Sequence, residues 1–305
     1  IAELKTPTDT TGVTSYGLSS PVLGDYNNDQ IDDIAFAGDL AGNLWRYDLS
    51  SATISDWTVT LAYKPTTQGA QPITVMPRLF PDPATNRFIV VFGTGKYLGA
   101  NDNVSSGGTQ AIYGIRDLSD NGTVSGTTNL EQQTMAQVTV TTNGVTNTLR
   151  GMTDNAVSDS QQGWYVNLTV SDASGNVLDT GERVVVTPGA LFDSNRVVIT
   201  TLIPSSNDPC TATITGAVMV LNAATGGSDG GLSSPGYSTW TGTSSYRVVG
   251  GIVDNPPTSG TVPVATVVGG GSLLTPGLNL NGGGSLTIPD AVWRRRSWGA
   301  LDNDQ

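Results

Sequence analysis

Short apolar runs separated by glycine-containing turns recur along this chain, and this recurrence constrains the fold more than any other feature. Four pairs of runs can be recognised, namely 34–37 with 44–49, 88–92 with 111–118, 197–203 with 217–221 and, less regularly, 262–268 with 286–293. Strand pairs that repeat in this way are typical of propeller blades, each of which is a small antiparallel sheet. The sequence therefore predicts an all-β chain that folds as a modified β-propeller.

The composition supports this prediction and sets the domain organisation. The chain of 305 residues contains 38 Gly and 16 Pro, which supply turns and disfavour long helices. We interpret residues 1–305 as a single β-propeller region with a lead-in segment at 1–17. Segments 120–151 and 226–245 are rich in Gly, Ser, Thr and Asn, and we expect them to be insertions made of surface loops or extra hairpins.

The run from Leu44 to Leu49 shows how one of these strands should be buried. Trp45, Tyr47 and Leu49 alternate with Leu44, Arg46 and Asp48, so the two sets point to opposite faces. One face is apolar and the other carries two charges. The pattern predicts a half-buried strand.

Charge and residue counts exclude several classes of function. The chain has 14 basic and 26 acidic residues, and its net charge of -12 repels nucleic acid and anionic membrane surfaces. No apolar run approaches the roughly 20 residues that a membrane span needs. Zero His removes Ser-His-Asp and Cys-His catalysis as well as histidine metal sites, so we expect a non-enzymatic protein.

The ends and the cysteine content point to an exported protein. The chain begins with Ile1 rather than Met, which indicates a processed or truncated product, and its low-charge, Thr/Ser/Gly-rich composition favours an extracellular location. Cys210 is the single cysteine, so an internal disulfide is impossible. Two hypotheses remain for this thiol, a cross-link to a partner outside the chain and a buried inert side chain.

One segment, from Asp25 to Asp33, has the spacing of a calcium-binding loop. Oxygen-bearing side chains stand at loop positions 1, 3, 5 and 9, which are Asp25, Asn27, Asp29 and Asp33. The carbonyl oxygen of Ile31 is available at position 7. Calcium prefers such flexible all-oxygen cages, whereas magnesium demands tighter octahedral geometry. The spacing predicts a Ca²⁺ site with these five residues as ligands.

The loop departs from an EF-hand, because Gln30 replaces the glycine at position 6 and Phe36 replaces the glutamate at position 12. A further ligand must come from elsewhere, with Asp32, Asp39 or water as candidates. We also expect Ile31 and Ile34 to enter the core and anchor the loop. The alternative is that these acidic residues merely populate a turn.

Several stretches resemble the C-terminal propeller of the type IV pilus tip adhesins and biogenesis factors, the PilY/PilC family. The most specific is AGDLAGNLWRYDL at 37–49, within the longer similar segment 17–51. Further stretches follow in order: FGTGKYLG at 92–99, GWYVNL at 163–168, GERVVVTP at 181–188, TTLIPSSNDPC at 200–210 and RRSW at 295–298. The resemblance spans nearly the whole chain.

The resemblance implies a function at the pilus. A protein of this family would sit in the pilus tip complex with the minor pilins, support pilus extension or resist retraction, and contribute to adhesion to a host or surface ligand. It would be exported through the periplasm to the pilus tip or cell surface. The family's calcium loop maps onto the Asp25 loop, with Asn27 as a neutral ligand where the family often has Asp. Because this loop precedes the later blades in the family, residues 1–305 are expected to be C-terminal blades that require missing upstream propeller blades.

Two alternative functions belong to other classes. The stretch GDYNNDQIDDIAFAG at 24–38 also resembles the calcium repeat of integrin-type propellers, but a binding module of that lineage would have several such loops, and one good copy is present. A quinoprotein-like propeller dehydrogenase is the best enzymatic hypothesis. It would need a bound quinone, and the lone Cys210 cannot form the vicinal disulfide that such enzymes often contain.

Overall fold

Nearly all regular structure in this protein is β, as predicted. The computed structural model describes residues 3–7, 12–85, 87–102, 108–119, 122–142, 145–172, 174–178, 180–191, 194–204, 215–229 and 246–253, together with three short strands at 266–268, 272–274 and 285–287. The strands are, in chain order, β1 (Val22–Gly24), β2 (Ile34–Gly38), β3 (Leu44–Asp48), β4 (Thr58–Lys64), β5 (Arg78–Pro81), β6 (Phe88–Gly93), β7 (Ala111–Arg116), β8 (Val124–Ser125), β9 (Glu131–Thr142), β10 (Val145–Met152), β11 (Gly163–Ser171), β12 (Val177–Leu178), β13 (Gly189–Leu191), β14 (Arg196–Thr200), β15 (Gly216–Asn222), β16 (Arg247–Val253), β17 (Thr266–Val268), β18 (Ser272–Leu274) and β19 (Ser285–Thr287). Two single-turn 3-10 helices, Ile54–Asp56 and Ala100–Asp102, are the helical elements of the described residues.

The first sheet has the strand order β1-β2-β3-β4-β8. Its first four strands pair antiparallel with their neighbours, and β8 joins the edge in parallel with β4. The turn between β2 and β3 contains Gly42 at φ 92, a backbone conformation that glycine adopts without strain. The predicted pairing of 34–37 with 44–49 is therefore confirmed.

The second sheet is larger, with the order β13-β14-β15-β16-β10-β9-β11-β7-β6-β5 and with β12 paired to β11. Strands β6 and β7 pair antiparallel, as do β14 and β15. These pairings confirm two more of the predicted strand pairs. The fourth predicted pair, 262–268 with 286–293, lies largely outside the described residues. In the part that is described, β17 and β19 do not pair with each other but flank β18 in a separate three-stranded sheet.

A long hairpin occupies most of the segment 120–151 that we interpreted as an insertion. Its strands β9 and β10 lie inside the second sheet, where β9 pairs with β11 and β10 pairs with β16. Leu149 and Arg150 are each 1% exposed, and an Arg150 Nη2 to Glu182 Oε2 distance of 2.6 Å compensates the buried charge. The hairpin is thus part of the core and not a peripheral loop, because it fills the gap between β11 and β16.

The two sheets pack against each other through an apolar cluster. This cluster contains Ile34, Phe36, Leu44 and Tyr63 from the first sheet and Val90, Phe92, Ala111 and Tyr113 from the second. A second cluster on the outer face of the first sheet contains Val13, Ala35, Ala37, Trp45 and Tyr47, with Leu4 packed against it. The lead-in segment is therefore docked on the first sheet, and Asn43 Nδ2 donates a hydrogen bond to the Thr14 carbonyl oxygen at 2.9 Å.

The prediction of a half-buried strand at 44–49 is wrong, because β3 is buried on both faces. Trp45 packs in the outer cluster, while Leu44 and Arg46 face the second sheet and are 0% and 3% exposed. Arg46 is buried because its Nε atom lies 3.1 Å from Asp117 Oδ1, on the chain segment that follows β7. A partner 71 residues away thus makes burial of the charged face possible.

Some sequence features lie outside the described residues. They are Cys210, residues 230–245 of the second predicted insertion and the RRSW stretch at 295–298. Within the part of the chain that the structure describes, no helix has the length and apolar character needed to cross a membrane.

Candidate calcium loop

The segment from Asp25 to Asp33 connects β1 to β2 at one end of the first sheet. Its two ends are tied together, because the Asp33 amide donates to the Gly24 carbonyl oxygen at 2.8 Å. The Leu49 amide donates to the Asp33 carbonyl oxygen, also at 2.8 Å, which fixes the loop to the end of β3. The loop therefore leaves the first sheet after β1 and rejoins it at β2 at the same end of the sheet.

Asp25 organises the first half of the loop. Its Oδ1 atom accepts hydrogen bonds from the amides of Asn27 at 3.1 Å and Asn28 at 2.7 Å, and its Oδ2 atom accepts one from the amide of Gln30 at 2.8 Å. Side chains of Asp commonly accept hydrogen bonds from amides a few residues ahead in turns. Three such bonds curl the chain around one carboxylate.

Asn27 and Asp29 continue the same pattern. The Asp29 amide donates to Asn27 Oδ1 and the Ile31 amide donates to Asp29 Oδ1, both at 2.8 Å. The Asn27 side-chain amide also donates to Asp29 Oδ2 at 3.1 Å. Asp25, Asn27 and Asp29 thus each accept a hydrogen bond from the amide two residues ahead, which is typical of Asx turns, and their role as calcium ligands stays a prediction.

Two residues of the loop have left-handed backbone conformations, Asn28 at φ 60 and Gln30 at φ 73. Asn tolerates this region well, while for Gln it is strained. Gln30 stands at the position where an EF-hand has glycine. The loop thus keeps the sharp turn that glycine normally permits, although it lacks the glycine.

Asp33 closes the loop. Its Oδ2 atom accepts a hydrogen bond from the Tyr26 amide at 2.9 Å, and the ring of Tyr26 stacks on Phe88 of the second sheet with 4.8 Å between centroids. Oδ1 of Asp33 has no hydrogen bond to any described residue. Asp32, the residue before Asp33, is exposed.

The loop contains the types of ligand that calcium prefers, because it combines carboxylate, amide and carbonyl oxygens. In the present conformation, however, no three acidic, histidine or cysteine side chains among the described residues lie close enough to hold a metal ion. The carboxylates are instead engaged by loop amides. No described Lys or Arg lies within 4.0 Å of the carboxylates of Asp25, Asp29 or Asp33, so their negative charges have no ion-pair partner in this part of the structure.

Two expectations about the loop are wrong. Asp39 cannot supply a ligand, because it is 0% exposed at the other end of β2 and its carboxylate accepts hydrogen bonds from Asn43 and Trp45. The five residues of β2 separate the two ends by roughly 17 Å. Ile31 does not enter the core and is 68% exposed, whereas Ile34 is 0% exposed and belongs to the core.

A polar cleft of about 390 Å³ borders the loop. Asp33 lines it together with Arg46 and Asp48 of β3 and with Arg87. Arg46 lies between two carboxylates, with Nη1 3.1 Å from Asp48 Oδ2 and Nε 3.1 Å from Asp117 Oδ1. Sequence analysis missed this arrangement, because Arg46 and Asp117 are 71 positions apart along the chain.

The comparisons with known proteins agree with the fold. A protein-family model, the PilY1 beta-propeller domain, matches residues 4–149. The type IV pilus biogenesis factor PilY1 of Pseudomonas aeruginosa is 33% identical over 257 residues, which cover 72% of this chain and 21% of that protein. A PilY1 homolog of Xylella fastidiosa is 34% identical over 216 residues, covering 69% of this chain and 16% of the homolog.

A solved structure shows the same architecture. The crystal structure of the Pseudomonas aeruginosa PilY1 C-terminal domain matches with a TM-score of 0.68 and 26% sequence identity, and the match covers 92% of this chain and 62% of that chain. The predicted all-β modified propeller is therefore confirmed. This chain spans only 21% of the length of the Pseudomonas relative.

Proposed function

Because this chain belongs to the PilY1 family of type IV pilus biogenesis factors, we propose that it is a calcium-binding, non-enzymatic part of a pilus-tip protein. The resemblance found in the sequence is confirmed by the family match and by the relatives. The observation that supports the function best is the 33% identity to PilY1 over 72% of the chain. The integrin-type and quinoprotein alternatives gain no support from these relatives.

The non-enzymatic part of the proposal rests on two observations. The relatives are named as pilus biogenesis factors and not as enzymes. The sequence contains zero His, so acid-base chemistry near neutral pH would have to rely on other groups. A protein of this kind acts through binding and assembly.

Calcium is proposed for the Asp25 loop. The loop amides already orient the carboxylates of Asp25 and Asp29 and the amide oxygen of Asn27, and Asp33 keeps one open oxygen. Without a cation, four aspartates within nine residues repel one another. A bound Ca²⁺ would supply the compensating charge and fix the loop against the ends of β1, β2 and β3.

We place the protein at the pilus tip or cell surface, reached by export through the periplasm, with the minor pilins of the tip complex as partners. There it would support pilus extension or resist retraction, and contribute to adhesion. The net charge of -12 favours protein or surface ligands that are not anionic polymers. The calcium loop would act in this setting as a switch that stiffens one end of the first sheet.

The native particle is proposed to contain further propeller blades beside the first sheet. This chain covers 62% of the matched crystal chain. The outer face of the first sheet has an apolar groove of about 220 Å³, lined among others by Leu18, Pro21, Tyr47 and Leu49. A preceding blade packed on this face would bury Leu18, which is 47% exposed.

Calcium titration tests the site. Unfolding by denaturant, measured with and without calcium, should show a stabilisation of about 2.7 kcal/mol at a calcium concentration of 100 times Kd. Asp29→Ala and Asp33→Ala should each lose most of this effect. Asp159→Ala, at an exposed aspartate outside the loop, is the matched control and should respond like the wild type.

Calorimetry gives the direct readout for the same four proteins. Equal calcium binding by the wild type and both loop variants would refute the site. The cellular role is tested separately, by measuring pilus extension and retraction in bacteria that produce Asp29→Ala or Asp159→Ala. If Asp29→Ala abolished calcium binding but left both movements unchanged, the switch hypothesis would fail while the site remained.

A further inference from the structure

A second polar pocket, of about 280 Å³, lies at the opposite end of the first sheet from the calcium loop. Tyr63 of β4 lines it and pairs with Leu44, which pairs in turn with Gly38 at the far end of β2. The second sheet contributes Tyr113 of β7 and Tyr165 of β11. The pocket is thus built between the two sheets, and it shares no lining residue with the loop.

Three tyrosine rings contact one another in a row along one side of this pocket, with Tyr63 tilted by 43° against Tyr113. The ring centroids of Tyr63 and Tyr113 are 5.0 Å apart, and those of Tyr113 and Tyr165 are 6.2 Å apart with an interplanar angle of 22°. Tyr63 and Tyr113 are 1% and 2% exposed, whereas Tyr165 is half-buried. Tyr165 is therefore the one of these three aromatic side chains that a ligand can reach.

A hydrogen-bond chain holds the pocket in shape. The hydroxyl of Tyr113 donates to Gln71 Oε1 at 2.6 Å, and Gln71 Nε2 donates to the Thr109 carbonyl oxygen at 3.0 Å. These contacts join β7 to the segment between β4 and β5. Because the wall is fixed before any ligand arrives, little ordering would be lost on binding.

Other polar groups in the pocket have unused hydrogen-bonding capacity. The side chains of Asn167, Thr66, Thr127 and Tyr165 line the pocket and have no hydrogen bond to any described residue. Together they offer one carboxamide, which both donates and accepts, and three hydroxyls. Such a set suits a ligand that presents several hydroxyl groups.

The described lining of the pocket carries no charged side chain. Among the lining residues that the structure describes, none is Asp, Glu, Lys or Arg. Burial raises the pKa of Tyr63, and the neighbouring Tyr113 adds to this effect, while burial likewise raises the pKa of Tyr113. Both phenols therefore stay uncharged at physiological pH. A phosphate or carboxylate ligand would find no cationic partner among the described lining residues.

We propose that this pocket binds one residue of a neutral carbohydrate. A sugar ring combines hydroxyl groups with an apolar face, which matches free amide and hydroxyl groups beside an accessible aromatic side chain. Ligand pockets usually measure about 300 to 1,000 Å³, so a pocket of about 280 Å³ accepts a small ligand such as a single ring. The site does not depend on the calcium loop, which lies at the other end of the sheet.

Saturation-transfer NMR on the intact native protein tests this inference. The probes are galactose, glucose, N-acetylglucosamine and, as the anionic arm, N-acetylneuraminic acid. At least one neutral sugar should bind with a Kd of about 1 mM, as expected for a ligand of so few atoms. N-acetylneuraminic acid should bind more weakly than that sugar.

Variants locate the binding. Asn167→Ala should weaken binding by about tenfold, because it removes the carboxamide from the pocket. Tyr165→Phe, which removes one hydroxyl and keeps the ring, should weaken it by about threefold. Asn101→Ala, at an exposed asparagine outside the pocket, should bind like the wild type. Circular dichroism and the thermal midpoint should confirm that all three variants fold.

Three results would overturn the proposal. The first is a lack of binding by all three neutral sugars. The second is a folded Asn167→Ala variant with unchanged affinity. The third is loss of sugar binding on calcium chelation, which would place the sugar at the loop and not in this pocket.

Discussion

The two ends of the first sheet are stabilised by different kinds of contact. Within the calcium loop, the side-chain hydrogen bonds join residues that are two to seven positions apart, and the side chains are exposed or partly exposed. At the tyrosine end, the contacts join residues about 40 positions apart, as between Tyr113 and Gln71, and the rings are buried. The hydrogen bonding within the loop is therefore local, whereas the pocket exists only when the two sheets have packed.

The largest effect should come from Tyr113→Ala, which sharpens this contrast. The ring is 2% exposed, stacks with its neighbours and donates a hydrogen bond to Gln71. Removal of a large buried aromatic side chain typically lowers the free energy of unfolding by about 3–5 kcal/mol. Denaturant unfolding measures this, with Tyr16→Ala as the control because Tyr16 is 51% exposed. A cost below about 1 kcal/mol would contradict the view that packing builds this end.

A smaller effect is expected from Asp25→Ala in calcium-free buffer. The variant removes the acceptor of three amide hydrogen bonds, but water can reach the released amides and charge repulsion in the loop is relieved. We expect the free energy of unfolding to fall by about 1 kcal/mol. Hydrogen exchange at the amides of Asn28 and Gln30 should accelerate, while exchange in β7 should not change. Faster exchange in β7 as well would show that the loop is not a local structure.

The locality of the loop explains why the sequence predicted it. The side chains of Asp25, Asn27, Asp29 and Asp33 accept hydrogen bonds from amides two to seven residues away, so a turn can be predicted from the local sequence, while calcium binding there stays a prediction. The paired strands β2 and β3, β6 and β7, and β14 and β15 were predictable for the same reason, since each apolar run is followed by a turn and a second run.

The features that sequence analysis missed depend on distant contacts. Burial of Arg46 requires Asp117. The position of β9 and β10 in the core depends on the pairing of β9 with β11 and of β10 with β16. The pocket draws on three strands and three connecting segments. The alternation of Tyr165 with Asn167 places both on one face of β11, but nothing local says that this face meets Gln71.

The smallest effect should come from Asp48, which lies in the cleft at the calcium-loop end. The Asp48 Oδ1 atom accepts a hydrogen bond from the Ser50 amide at 3.0 Å, and Oδ2 lies 3.1 Å from Arg46 Nη1. Burial acts to raise the pKa of Asp48, but the hydrogen bonds from Ser50 and the charge of Arg46 together hold it below the usual value. Asp48→Asn should therefore lower the free energy of unfolding by about 0.5 kcal/mol or less, since Arg46 keeps Asp117 as a partner and the side chain is partly solvated.

The pH dependence of this loss of stability should distinguish the calcium-loop end of the first sheet from the tyrosine end. Because the folded pKa of Asp48 is depressed, its contribution is present above the unfolded value of about 3.9 and is lost as the pH falls through the folded pKa. The difference in free energy of unfolding between wild type and Asp48→Asn should thus be constant above about pH 5 and shrink below about pH 4. Tyr113→Phe is the control from the tyrosine end. The Tyr113 hydroxyl donates to a neutral amide, so the difference in free energy of unfolding between wild type and Tyr113→Phe should not change over the same pH range. Unfolding curves with equal pH dependence for both variants would contradict the electrostatic distinction between the two ends.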